Sequence, residues 1–180
     1  IGGHITADGV TFDGGPGTVT LLGGSIAPQV QSTDRADADT DAAPITFNTN
    51  VSSTGINGPF SIINQTGAGD VSDVTFNYAV EGPAGLVVQM NPGSAGDVFF
   101  NSAVGSLIPL GGLTVTAETT TITNDITSVG DVTFNDNVVL DSPNAVWIST
   151  DASNANIAFN GTIDAATASG CVTRFHEFHR

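Results

Sequence analysis

The sequence predicts an all-β protein that folds as a parallel β-solenoid, with the right-handed β-helix as the expected form. The first observation is a motif that occurs six times: a β-branched residue, a small or aromatic residue, a phenylalanine, then an asparagine or aspartate. The phenylalanines of its six copies lie 35, 29, 24, 34 and 25 residues apart, at Phe12, Phe47, Phe76, Phe100, Phe134 and Phe159. Such spacing is typical of folds whose units are too short to bury their own apolar face and therefore stack on one another.

The second observation is the alternation within each copy. In 132–135, apolar Val132 and Phe134 alternate with Thr133 and Asn135, which predicts a strand with one buried face. Further segments rich in β-branched residues, such as 86–90 and 113–116, lie between the copies. Strand centres about a dozen residues apart leave room for a strand and a turn. We therefore expect two or three strands in each coil, with the next coil about 4.8 Å away.

The motif ends in a short polar residue with a predicted structural use. Five copies end in asparagine and the first ends in Asp13; the asparagines are Asn48, Asn77, Asn101, Asn135 and Asn160. Asparagine tolerates unusual backbone angles at a corner and hydrogen-bonds the turn. If coils stack, the amides can also bond one another as a ladder.

Length and charge limit the classes of function. The chain has 180 residues, which suits one domain, and 18 acidic residues against three arginines give a net charge of −15. This balance argues against nucleic-acid binding and against binding an anionic membrane through basic contacts. No apolar run of 18 residues occurs, so no membrane insertion is expected. The single cysteine, Cys171, excludes an internal disulfide.

Two segments depart from the repeat. We expect a β-helix domain over 1–170 with an acidic insertion at about 27–43, which contains four aspartates within eight residues: Asp34, Asp37, Asp39 and Asp41. These carboxylates are calcium candidates, although the segment lacks the glycine and glutamate of an EF-hand and equally fits a solvated loop. Residues 171–180 have a different composition and are expected to form a tail or a cap over the last coil.

Aspartates that precede strands are the candidates for catalysis. Asp73, Asp97 and Asp131 each stand directly before a predicted strand and would form a column if the coils stack in register. Stacked carboxylates repel one another, so the column needs hydrogen bonds from turn amides or a bound cation. Together with Asp70 they could supply general acid–base catalysis. A Ser–His–Asp triad is not expected in the repeats, because His4 is the only histidine outside the tail.

Three segments carry a resemblance to known proteins: 105–117 (GSLIPLGGLTVTA), 130–138 (GDVTFNDNV) and 156–164 (NIAFNGTID). They resemble the β-strand repeats of large bacterial surface proteins of the filamentous-haemagglutinin and autotransporter-adhesin type. The similarity extends over roughly residues 44–165. It implies a right-handed β-helix that is exported and lies at the cell surface or outside the cell.

Two functions of different classes follow as expectations. The first is a structural or adhesive repeat module, with a cell-surface or glycan partner and with end-to-end self-association as a further mode of contact. The alternative is a small calcium-dependent hydrolase of neutral esters, lactones or glycosides, in which calcium polarises the substrate. Anionic polysaccharides are poor substrates for such an enzyme, because the acidic repeats would repel them.

Overall fold

The computed structural model describes residues 4–7, 9–21, 29–33, 44–53, 58–65, 72–91, 93, 95–150, 154–166 and 174–177. This part of the chain is all-β, with eighteen strands and no helix. Accordingly, it contains no helix of the length and hydropathy needed to cross a membrane.

The strands form three sheets, and every pairing within them is parallel. The first sheet contains, in spatial order, β1 (His4–Ala7), β3 (Gln29–Thr33), β5 (Phe60–Gln65), β8 (Leu86–Met90), β10 (Leu113–Thr116), β13 (Val132–Phe134) and β16 (Ile157–Phe159). The second contains β2 (Val10–Leu21), β4 (Ile45–Ser53), β6 (Val74–Phe76), β9 (Val98–Phe100), β11 (Thr119–Ile122), β14 (Asn137–Leu140) and β17 (Ile163–Ala165), with β7 (Val80–Glu81) paired to the end of β4. The third contains β12 (Ile126–Ser128), β15 (Trp147–Thr150) and β18 (Arg174–Glu177).

The chain alternates between the first and second sheets from β1 to β9, and from β10 to β18 it visits the first, second and third sheets in turn. β10, β11 and β12 lie in the first, second and third sheets, and β13, β14 and β15 repeat that order directly. Paired residues are 18 to 35 positions apart, as in Thr119 with Asn137 and Val10 with Ile45. We use "coil" for one such passage through the sheets. Each coil pairs with the coil before it and the coil after it.

Alternation of side chains explains why these short segments are strands. In β4 the nine residues from Ile45 to Ser53 alternate between buried and half-buried, so one face of the strand is covered throughout. In-register residues of successive strands continue that covered face: Phe60, Leu86, Leu113 and Val132 are partners in the first sheet and are almost fully buried. The core is therefore a set of apolar columns perpendicular to the strands.

The six motif phenylalanines form two columns. Phe12, Phe47, Phe76 and Phe100 stack in the second sheet, with ring centroids 4.8, 5.0 and 5.1 Å apart. Phe134 and Phe159 stack at 5.3 Å in the first sheet. The long gap between Phe100 and Phe134 contains β10, β11 and β12. The motif therefore moves from the second sheet, which contains Phe100, to the first sheet, which contains Phe134. Ile122 and Leu140 continue the column begun by Phe12.

The two segments that depart from the repeat both contribute strands. β3 falls within the expected insertion at 27–43 and pairs with β1 and β5. β18 falls within the expected tail at 171–180, and it pairs in parallel with β15. The four aspartates proposed as calcium ligands, Asp34, Asp37, Asp39 and Asp41, lie outside the described residues.

Candidate functional site

The strand-preceding aspartates are not assembled into one column. Asp73 and Asp97 precede β6 and β9, which are neighbours in the second sheet, and the Asp97 N–H donates to Asp73 Oδ1 at 2.9 Å. Asp131 precedes β13 in the first sheet and accepts from the Asn156 N–H at 2.8 Å. The structure therefore brings two of the catalytic candidates together and places the third elsewhere, while Asp70 lies outside the described residues.

The bond made by these aspartates recurs at other corners. Asp125 Oδ1 accepts from the Trp147 N–H at 2.8 Å, and Asn137 Oδ1 accepts from the Thr162 N–H at 3.1 Å. The donor lies one residue before the next strand of the same sheet or, for Trp147, at the first residue of that strand. The side chain thus satisfies an amide that would otherwise lose its partner at the start of the strand. Of the two alternatives for stabilising these carboxylates, the described contacts show hydrogen bonds from turn amides.

Acidic side chains gather around Asp97. We call Asp73, Asp97, Glu118 and Asp136 the acidic cluster. Burial is the main cause that raises the pKa of Asp97, and the charges of Asp73 and Glu118 raise it further. The Thr119 amide opposes the rise. In the described part of the chain, all the charges that act on Asp97 are therefore of its own sign.

Asp136 is the most deeply buried carboxylate of this cluster. Its side chain is 5% exposed, and burial raises its pKa to about 6. The Thr120 hydroxyl donates to Oδ2 at 2.8 Å and opposes the rise, as do the amides of Ala117 and Asp136 itself, while the Asp97 charge adds to it. Oδ1 is buried and has no hydrogen-bond partner among the described residues. An ionised carboxylate in this position is poorly satisfied.

Asp136 was not singled out from the sequence, although a signal for it existed. Phe134 is buried and Asn135 is exposed, so strict alternation places the next side chain inside. A run such as Asn-Asp-Asn reads as an exposed polar turn by composition alone. Only the position of Asp136 relative to Phe134 distinguishes it from its neighbours.

The geometry of the acidic cluster restricts its chemistry. Within the described residues no three His, Cys, Asp or Glu side chains are arranged to hold a metal ion. Asp136 can exchange a proton but is too covered to touch a substrate on the outer surface, as a general acid or base must.

The motif asparagines form two ladders of side-chain amides. In the second sheet, Nδ2 of Asn48 donates to Asp13 Oδ1 at 2.7 Å, that of Asn77 to Asn48 at 2.7 Å, and that of Asn101 to Asn77 at 2.8 Å. A second ladder joins Asn160 to Asn135 at 2.8 Å, and Asn135 to the Thr116 hydroxyl at 3.1 Å. The ladders lie on the surface yet bond coil to coil, as predicted for stacked amides.

A rigid loop presents apolar side chains to solvent. The Glu81 carboxylate accepts from the Ser106 hydroxyl at 2.7 Å and from the N–H groups of Leu107 and Ile108 at 3.0 and 2.9 Å. Leu107 is 86% exposed and Ile108 is 49% exposed, beside a groove of about 290 Å³. We call Ser106, Leu107 and Ile108 the apolar loop. Adjacent leucine and isoleucine between Gly105 and Pro109, where glycine and proline indicate a turn, are its signal in the sequence.

Comparisons with protein-family models, with curated proteins and with solved structures found no match for this chain.

Proposed function

We propose that the three sheets wind as a parallel β-solenoid, a right-handed β-helix, and that this solenoid is a structural or adhesive repeat module of an exported bacterial surface protein. The supporting observation is that β1 to β9 alternate between two parallel sheets and β10 to β18 pass three times through three parallel sheets in the same order, with in-register pairs from coil to coil. Such a stack grows in one direction and makes an extended scaffold.

The use of polar side chains supports a scaffold. The repeated asparagines bond one another, and Asp73, Asp125 and Asp131 bond amides of the next coil. These groups resist separation of the coils, because each bond spans two of them. They are engaged in the architecture of the repeat, which gives a reason for their recurrence without a substrate.

The apolar loop is the candidate for partner contact. Its backbone is already fixed by Glu81, so docking of Leu107 would lose little conformational freedom. Residues 98–117 contain no charged side chain in a chain of net charge −15, and Glu81 is the one charged residue among the described residues that line the groove beside the loop. A partner can therefore approach here with less repulsion than elsewhere. We propose a cell-surface protein or glycan as that partner, outside the cell or at its surface.

A binding experiment tests the adhesive role. The purified chain is applied to glycan arrays and to cultured cell surfaces, together with Leu107→Asp and with Val129→Asp as a matched control at another exposed position, where Val129 is 46% exposed. We expect saturable binding that Leu107→Asp weakens at least tenfold and Val129→Asp leaves within twofold, with unfolding midpoints unchanged. Absence of saturable binding, or equal loss in both variants, would contradict adhesion through this loop.

Calcium and hydrolysis are tested in the same preparation. Thermal unfolding is recorded with calcium and with chelator, and turnover is assayed on neutral esters, lactones and glycosides. Under the scaffold proposal we expect no turnover in either condition. Calcium-dependent turnover would overturn it in favour of the hydrolase; a shift in stability alone would assign calcium a structural place, for which the aspartates of 27–43 are the candidates.

A further inference from the structure

Asp136 occupies a corner where a negative charge has little to stabilise it. It lies between β13 and β14 with its side chain inside the stack. Thr120 of the neighbouring strand β11 supplies one hydrogen bond at 2.8 Å, and the amides of Ala117 and Asp136 favour the ionised form less strongly, so burial still prevails. The second oxygen is buried without a partner among the described residues. A buried carboxylate with one oxygen unsatisfied destabilises the folded state relative to water.

Among the described residues, the charges that act around this corner are all acidic. Asp97 acts on Asp136 directly, and Asp73 and Glu118 act on Asp97. On the opposite side, the next coil places Gly161 against the Asp136 carbonyl and so brings no charge. The acidic cluster is therefore spread over adjacent coils, and the charge of Asp97 opposes ionisation of Asp136.

We propose that the acidic cluster forms a pH-dependent contact between β11 and β14. Uptake of a proton by Asp136 stabilises this contact and makes the stack more stable in mildly acidic than in neutral solution. This goes beyond the adhesive role and does not depend on it. It gives the scaffold a response to acid that resides in its interior, away from any partner surface.

The direction follows from the difference between folded and unfolded states. The folded pKa of about 6 lies above the ordinary value of 3.8. The stabilisation that the protonated Asp136 carboxyl gives the folded state is therefore fully present below about pH 4, and it is lost as the pH rises through about 6. This difference between the folded and unfolded pKa values means that ionisation of Asp136 alone raises the equilibrium constant for unfolding up to about 100-fold as the pH rises. Asp97, whose pKa is also raised, acts in the same direction.

The test compares the wild-type chain with Asp136→Asn by urea unfolding between pH 4.5 and 7.5. Asparagine removes the charge and keeps the shape, and any cost of its buried amide is the same at every pH. We expect the variant to gain stability relative to wild type as pH rises, by a factor of about 25 in the equilibrium constant between pH 4.5 and pH 7.5. A stability difference that stays constant across this range would overturn the proposal and assign Asp136 a structural hydrogen bond only.

A second variant and a direct titration cover the case in which Asp136→Asn does not fold. Thr120→Val removes the hydroxyl that favours the ionised form, so the Asp136 carboxyl should titrate at higher pH in this variant, as followed by its ¹³C chemical shift. Hydrogen exchange, corrected for the intrinsic rate, should slow in 119–122 and 137–140 on acidification but not in 60–65. A carboxyl that titrates near pH 4 in the wild-type chain would also overturn the proposal.

Discussion

Replacing Phe76 with alanine is the sharpest perturbation of the stacked core. Phe76 is 1% exposed and lies between Phe47 at 5.0 Å and Phe100 at 5.1 Å, with all three rings nearly parallel. The variant deletes a ring in the middle of a column while leaving the backbone of β6 free to keep its pairs. The loss therefore reports on packing between coils.

The expected loss can be worked from these contacts. Removing a fully buried phenylalanine costs about 3–5 kcal/mol in transfer and cavity terms. Two ring contacts add about 0.5–1.5 kcal/mol each, so Phe76→Ala should lower the free energy of unfolding by about 4–8 kcal/mol. Phe159 is half-buried in the first sheet, and for Phe159→Ala we expect about half the transfer loss, roughly 2 kcal/mol.

The assay is urea unfolding of both variants beside the wild type, with hydrogen exchange to find where protection is lost. In a stack, the loss at Phe76 should extend into β4 and β9, the two strands that pair with β6. The reasoning would be refuted if Phe76→Ala cost no more than Phe159→Ala, or if protection fell equally throughout the molecule.

Three further predictions concern single contacts between coils. A Cβ on Gly111 would collide with a backbone carbonyl of the preceding coil, whereas a Cβ on Gly112 would lie 3.4 Å from its nearest neighbour. Thermal unfolding should therefore show that Gly111→Ala is strongly destabilised and that Gly112→Ala stays within about 1 kcal/mol of wild type. Asn77→Asp places two hydrogen-bond acceptors in contact within the ladder, so it should lower the free energy of unfolding by about 1–2 kcal/mol at pH 7. The loss should be smaller at pH 3, where the protonated acid can donate, and equal losses at the two pH values would contradict a ladder. Asp125→Ala should cost about 1 kcal/mol and speed exchange of the Trp147 amide, while Asp125→Asn, which retains the acceptor, should preserve its protection; loss in both would assign the effect to charge.

That the described chain is all-β with parallel strands was accessible from the sequence, because the period and the alternation are both local properties of the chain. The motif at Phe76 and the motif at Phe100 lie one coil apart, and the structure stacks these rings as the spacing implies. The assignment of Phe134 to a different sheet was not accessible. It depends on how many strands are placed between Phe100 and Phe134, and strand boundaries are set by tertiary pairing as much as by composition.

The amide ladders followed from the recurrence of asparagine at one position, since stacking in register brings equal residues together. The acidic cluster did not follow. Asp97 and Asp136 are 39 residues apart, in a chain whose corners differ in length, so their proximity is a property of the assembled coils. The fixing of the apolar loop by Glu81 is hidden for the same reason, because a single buried glutamate has no local signature.

Cross-linking between neighbouring coils measures the winding of the chain most directly. Thr46 and Thr75 are paired residues in the second sheet although 29 positions apart, and at strand spacing their cysteine variants lie within disulfide reach. Thr46 and Thr121 lie on the same face but three strands apart, about 14 Å, and serve as the control. With Cys171→Ser as background, we expect mild oxidation to link the Thr46→Cys/Thr75→Cys pair nearly completely and to leave Thr46→Cys/Thr121→Cys unlinked within the monomer. Failure of the first pair to link, or linking of the second, would contradict coils stacked in this register.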